Sequence, residues 1–525
     1  MKKVFIYLAA AIFWIVGVFS FVNSGTKTQD DSEYDFTVLA VKDDAVKDYN
    51  TMPVFTKIGS ETGKDVHYIY NTSVQYSNNP DPVGISGIDA IYHSGLSDLK
   101  LYNYGKRNRI VAIDEYLNYM PNFKKILEDR PDIREALTSP DGHIYSLPRV
   151  EEMGLRNYPN ILFINKRFLE KMIDNGTMPV ANITKENLVD GLDLSRDEFK
   201  KILTIFNRMS ECSVPLNFVS NNWQGNESDL IASFGVAENV QHKTIINDKI
   251  EFTITQEAWF EAICELNQWH QEGLIRSISF DQDQDTFLAR GQNGGYGAFY
   301  WWEKETVVKN PDDYIIVLPL RNSDGNRYVG VSNGLEIEKG ECIVLESCED
   351  KQSLLSYFDT FFKPDYSAQL NYGSIEVGAF YSEKVDGKLI PNPNHGEQSA
   401  DDFRMKNAAY GVLYLTQNEW DNYVEMEPRA KLRLERLDQY IKPYSYPNAK
   451  AIPSLNYNEE ELNQLNISES TLGNNILNWM IKGITGNQPT YESWQKFLRD
   501  NKNSIDTVIE LNQRAYDRYL QATKN

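Results

Sequence analysis

Apolar and polar residues alternate along this chain with two distinct periods. Residues 34–41 form an apolar, β-rich run, and a helix is predicted near residues 52–61. Ile88, Ala90, Ile91 and Tyr92 make an apolar strand that ends in the polar His93 and Ser94. Strand-like and helical stretches keep alternating beyond it, the order that builds α/β units around a largely parallel sheet. Ligands of such sheets gather beyond the carboxyl ends of the strands, which makes Tyr92, His93 and Ser94 candidate binding residues. Pro140-Asp141-Gly142 is a turn by its own chemistry, since Pro fixes φ, Asp bonds the backbone and Gly accepts a positive φ. Ser195 and Glu198 form a capping box ahead of Phe199, Ile202, Leu203 and Phe206, so a helix starts there. Another helix carries Trp259, Ile263, Leu266 and Trp269, and Gly273 suits the left-handed position just past its end. Trp301 and Trp302 close an extended run, where neighbours point to opposite faces; at most one of them faces a cleft while the other packs. Near the C-terminus Ile505, Val508, Ile509, Leu511, Tyr516 and Tyr519 recur at helical spacing.

The first residues follow neither period. Lys2 and Lys3 precede the uncharged stretch 4–22, which is long enough for either a cleaved signal peptide or a single membrane anchor. Val22-Asn23-Ser24-Gly25 offers a cleavage position, and residues 25–33 read as a polar linker. Both outcomes place the body outside the bacterial cell membrane. A chain of 525 residues with 41% hydrophobic content divides into more than one unit. The boundaries expected are 34–150 plus about 305–370 for one lobe, and about 151–304 plus 371–525 for the other. A formal charge of −22 opposes attraction to nucleic acid and to anionic lipid. The 31 Tyr and 9 Trp supply rings for cores and for stacking on flat ligands. The four cysteines have no CxxC spacing, and Cys342 with Cys348 would join only if a turn brought them together.

Several segments together resemble one family. Residues 140–148 read Pro-Asp-Gly-His-Ile-Tyr-Ser-Leu-Pro; residues 161–169 give a strand and a helix; residues 272–275 read Glu-Gly-Leu-Ile. Asn371-Tyr372-Gly373, followed by Glu376 and Tyr381, and the C-terminal stretch with Trp494, Phe497, Asn512, Arg514 and Tyr519 continue the match. These motifs are similar to those of the large carbohydrate-type solute-binding proteins of ABC importers. The resemblance implies a two-lobed, periplasmic-binding-protein-like α/β fold of type II with crossing hinge segments. It also implies a monomer that closes on a carbohydrate and hands it to the transmembrane subunits of an ABC permease. Tyr92, His93, Ser94, Trp223, Trp301, Trp302, Tyr372 and Glu376 are the candidate ligand contacts. Two family features are absent: no cysteine precedes Cys212 for lipid attachment, and residues 207–216 lack the alternating oxygen ligands of the calcium loop that many relatives carry.

Catalytic signals are weak by comparison. Gly330-Val331-Ser332-Asn333-Gly334 fits G-x-S-x-G, but an alternating, strand-like run follows where a nucleophile elbow needs a helix. The six histidines form no H-x-x-x-H or H-x-H pair, and no zinc spacing or phosphate-binding loop occurs, so no metal or cofactor is expected. With 75 acidic residues a pair of carboxylates suited to glycoside cleavage can always arise in a cleft. An extracellular glycoside hydrolase or lyase therefore stands as the alternative to a binding protein, beside an anchored sensor feeding a membrane kinase.

Overall fold

The structure is a computed structural model and describes residues 34–220, 222–331, 336–396 and 398–523. The signal or anchor segment and its linker lie outside these residues, as do Ser332–Leu335 of the G-x-S-x-G stretch. Among the described residues no helix is long and apolar enough to cross a membrane. The chain separates into two compact units, one ending at Glu151 and resuming over Ile337–Glu425, the other formed by Glu152–Glu336 and Met426–Asn525.

In chain order, unit 1 supplies β1 (Phe36–Val41), helix α1 (Pro53–Thr62), β2 (Val66–Asn71), β3 (Ala90–Tyr92), α2 (Pro121–Asp129) and β4 (Leu147–Glu151). Unit 2 supplies β5 (Ile161–Asn165), α3 (Arg196–Phe206), β6 (Val214–Asn217), β7 (Lys243–Ile246), β8 (Lys249–Phe252), α4 (Glu257–Gln271), β9 (Tyr296–Trp301) and β10 (Tyr314–Val317). The chain returns to unit 1 for β11 (Ile337–Val344), α5 (Pro364–Tyr372), α6 (Ala400–Asn407) and β12 (Leu413–Leu415). It ends in unit 2 with α7 (Pro428–Tyr440), β13 (Ala449–Lys450), α8 (Glu459–Thr485) and α9 (Lys502–Thr523).

The sheet of unit 1 runs β12-β4-β11-β3-β1-β2. β1 is parallel to β2 and β3, and Val38 is partnered by Ala90, but β11 enters antiparallel to both β3 and β4. The sheet of unit 2, β10-β5-β9-β6, has only the β6–β9 pair parallel. The largely parallel sheet expected from the alternation of elements is thus replaced by two mixed sheets. In unit 1 the cause lies in β11, which follows a crossing between units instead of a local strand–helix–strand connection, and so is free of the right-handed crossover that keeps neighbours parallel. β1 is buried along nearly its whole length, as a strand covered by helices on both faces must be, and this explains why it reads as a continuous apolar run.

The boundaries also differ from those expected. Residues 305–336 belong to unit 2, because β10 pairs with β5. Residues 371–425 belong to unit 1, because β12 adds to β4 and α5 runs on to Tyr372 without a break. Sequence order alone does not say which free strand edge a returning segment will find.

Local signals fare better. Ser195 accepts from the Glu198 amide at 3.2 Å while Glu198 accepts from the Ser195 amide at 2.7 Å, closing the capping box of α3. Gly142 and Gly273 have φ of 91° and 75°, the turn and helix-end conformations their neighbours required. Trp259 and Trp269 are wholly buried in the core of unit 2, against the apolar faces of α8 and α9. Cys342 and Cys348 are both buried as free thiols.

Candidate functional site

The end of β3 sets the first cluster, in unit 1. Tyr92 is fully buried, edge-on to Tyr49 and Phe361 with ring centroids 6.2 and 5.9 Å away. Gly411 roofs it: a Cβ there would lie 2.6 Å from the Tyr92 ring, and its φ of 118° is one that only glycine adopts freely. Tyr92 is therefore a core residue. Ser94 is also buried and spends its hydroxyl on the Gly340 carbonyl at 2.5 Å. His93, between them, turns outward with φ 59°. Its Nδ1 lies 2.7 Å from Glu341 Oε2, and nearly half of its side chain is exposed. Burial opposes protonation of this imidazole, but the hydrogen bond and charge of Glu341 outweigh it and raise the pKa.

Beside this, β4 carries two charged side chains in an apolar strand. Arg149 donates to Glu151 at 2.7 Å and to Asn371 at 2.6 Å. Tyr372, the last residue of α5, donates its hydroxyl to Glu151 at 2.6 Å. The Arg404 guanidinium from α6 sits 4.0 Å above the Tyr372 ring and donates to the Asn371 carbonyl at 2.9 Å. The result is a pre-oriented polar network whose groups hold one another in fixed directions. Tyr372 thus packs within the network with little exposed surface, whereas Glu376 stands exposed on a short turn apart from it. Arg149, Glu151 and Arg404 were not among the residues expected. Charges at alternate positions of the apolar run Leu147-Pro148-Arg149-Val150-Glu151 were the available signal, since they mark one face of a strand as polar.

The second cluster lies in unit 2 at the end of β9. Trp301 is 1% exposed and stacks on Phe287 with centroids 4.9 Å apart. Trp302, one residue on, leaves the core and meets Trp223 edge-to-face at 5.2 Å, so the pair of tryptophans splits as period-2 geometry requires. Trp223 is 39% exposed, an unusual state for so large a ring. Gly225 makes this possible. Its φ is 67°, and a Cβ would lie 2.1 Å from the Trp301 ring, so the loop can lie directly on Trp301 and hold Trp223 beside Trp302. Val219 closes the loop by donating to the Gly225 carbonyl at 2.8 Å.

Cations back both rings. Arg433 of α7 lies 4.1 Å from the Trp302 ring and Arg156 lies 5.7 Å from that of Trp223. Arg433 is held by Glu303, 3.6 Å away and fully buried, which also accepts from Arg429 Nε at 2.8 Å. Asn226 and Asn160 bond one another nearby. The carboxyl of Asp229 is pushed up to about 8 by burial, against the help of the Gly330 amide and Asn160. Among the described residues no group of three or more His, Cys, Asp or Glu is placed to hold a metal ion.

An exposed ring, Trp223, held edge-to-face against the half-buried Trp302, with an arginine near each ring, suits a ligand with apolar faces and polar edges. The chain passes three times between two mixed α/β units, the topology of a two-lobed binding-protein fold. No protein-family model matches the chain. It is 26% identical over 503 residues, 91% of its length and 89% of the relative's, to the fructooligosaccharide ABC transporter substrate-binding protein FusA of Streptococcus pneumoniae serotype 4. The solved structure of S. pneumoniae FusA in complex with kestose superposes with a TM-score of 0.81 at 23% identity, covering 93% of this chain and 99% of that one. A solute-binding protein from Bifidobacterium longum infantis, described as binding HMO, gives 0.74 at 15% identity over 92% of this chain and 98% of its own. Along nearly its whole length the chain is thus similar to a substrate-binding protein of an ABC importer and shares its fold.

Proposed function

We propose that this protein captures an oligosaccharide outside the cell and delivers it to the transmembrane subunits of an ABC importer, acting as a monomer. The observation that carries the reading is the match along 91% of the chain to a fructooligosaccharide-binding relative. The exposed Trp223 beside the half-buried Trp302 supports it physically, since sugar C–H groups are weakly positive and ring faces negative. Trp223 and Trp302 are the proposed ligand contacts of unit 2, and His93 is that of unit 1, where the largely buried Arg149–Glu151–Tyr372–Arg404 network lies. Trp301, Tyr92 and Ser94 support them from the core. The N-terminal segment either anchors the protein to the membrane or is removed on export.

The test is calorimetry of the purified chain from about residue 23 onward with a panel of oligosaccharides, including kestose and longer fructooligosaccharides, paired with product analysis. Micromolar binding, about −8 kcal/mol, with the sugar recovered unchanged is the expected result. Sustained cleavage abolished by a single carboxylate substitution would instead establish the hydrolase. Light scattering with and without ligand checks the monomer.

A further inference from the structure

Unit 2 contains a cavity of about 500 Å³ between the short helix Ser228–Ala232, β8 and the middle of α8, which meets the end of the Trp223 loop at Asn226. Its floor is apolar, formed by Ile231, Phe252, Leu472, Ile476, Met480 and Val508. Three acidic side chains line it, and two of them are matched. Glu238 accepts from Thr253 at 2.8 Å and pairs with His242 Nδ1 at 2.8 Å. Glu469 pairs with Lys243 at the rim. The third, Glu227, is 4% exposed, and one of its oxygens accepts from Ser220 at 2.6 Å. Among the described residues its Oε2 is buried without a hydrogen-bond partner. A buried carboxylate oxygen left in this state is costly unless something supplies a donor. Burial pushes the Glu227 carboxyl above its usual range, and a cation beside it would draw it back to the carboxylate.

Gly473 is a second, independent sign. It lies in the interior of the 27-residue helix α8, where glycine is destabilising, and it lines this cavity. No atom lies within 4 Å of the position a Cβ would take, so packing does not demand glycine there. Its absence of side chain leaves the entrance open.

We infer that this cavity is a second small-molecule site, for an organic ammonium compound with a hydrocarbon body, its charged head on Glu227 and its chain along the apolar floor. One surplus carboxylate selects the cation, and the floor rejects strongly hydrated ions and free sugars. Neither Trp223 nor Trp302 lines this cavity, so its ligand would not occupy their ring faces.

The probe is n-hexylamine, with n-hexanol and hexanoate as matched controls, titrated into the full exported chain by calorimetry and ligand-observed NMR. Hexylamine should bind at least tenfold more tightly than hexanol, and hexanoate should not bind. Glu227→Gln, which keeps shape and removes charge, should abolish the preference for the amine over the alcohol. Gly473→Leu, a substitution favourable to the helix, should weaken all apolar probes at least tenfold by filling the entrance. Oligosaccharide affinity should stay within twofold in both variants. Equal binding of amine and alcohol to the unaltered protein, or no binding of either, would overturn the inference. So would a parallel loss of oligosaccharide binding in both variants, which would make the cavity part of the sugar site.

Discussion

Replacing Trp302 and Trp301 separately by alanine tests the most specific structural claim, because the two positions are adjacent in sequence and opposite in role. Trp301 is buried in the centre of β9's core face, stacked on Phe287 and overlaid by Gly225. Removing it leaves a cavity that the surrounding sheet cannot close, at a cost of about 3–5 kcal/mol. Trp302 loses an edge-to-face contact of about 0.5–1.5 kcal/mol and a cation–π contact with the buried Arg433 of about 0.5–1 kcal/mol at the least. Its stability cost is therefore about 1–2.5 kcal/mol. The effect on binding runs the other way. A stacked ring contributes about 1–3 kcal/mol in the comparable case of a base on an aromatic platform, so Trp302→Ala should weaken oligosaccharide binding by about 5- to 150-fold. Paired thermal unfolding and calorimetry separate the two. The Trp301 variant should lose roughly 6 °C or more in Tm, taking about 2–4 °C per kcal/mol for domains of some 200 residues. The Trp302 variant should lose less Tm and more affinity. Full affinity in Trp302→Ala, with Trp223→Ala also silent, would remove this surface from the binding site.

Three further outcomes follow from the same geometry. Glu303→Ala strands Arg429 and Arg433 around a buried position, so it should destabilise by about 3–5 kcal/mol and, by freeing Arg433 from its place on Trp302, weaken sugar binding as well; urea unfolding and calorimetry measure both. Asp229 binds its proton in the folded state up to about pH 8 but only to about 3.8 when unfolded, so folding takes up a proton and this group's contribution to stability falls as pH rises between those values. Asp229→Asn lacks that slope, and its Tm should gain on the unaltered protein from pH 5 to pH 8; a constant difference would show the carboxyl to be ionised in the fold. Because residues 207–216 lack the calcium ligands, treatment with EDTA should leave the Tm unchanged, whereas a rise of several degrees on adding calcium would place an ion in this protein.

What the sequence determined by itself was local and directional. The capping box of Ser195 and Glu198, the turn at Gly142, the helix end at Gly273 and the split of Trp301 from Trp302 each depend on contacts within a few residues, or on the period at which side chains change face. The same applies to the apolar stripe of α9, which buries Ile505, Val508 and Leu511 as its spacing requires. Tertiary structure alone decided the rest. Tyr92 sits at a strand end, where ligands often gather, yet Gly411, more than three hundred positions away, lies over it and makes it core. Arg149 and Arg404 meet around Asn371 and Tyr372 only because β12 returns to pair with β4, drawing residues 371–425 into unit 1. The mixed sheet of unit 1 has the same origin. Periodicity tells a side chain which face to take, but the partner of a strand edge is set by which other edge is free when the chain comes back. That choice is made by burial summed over the whole unit, and no short segment carries it.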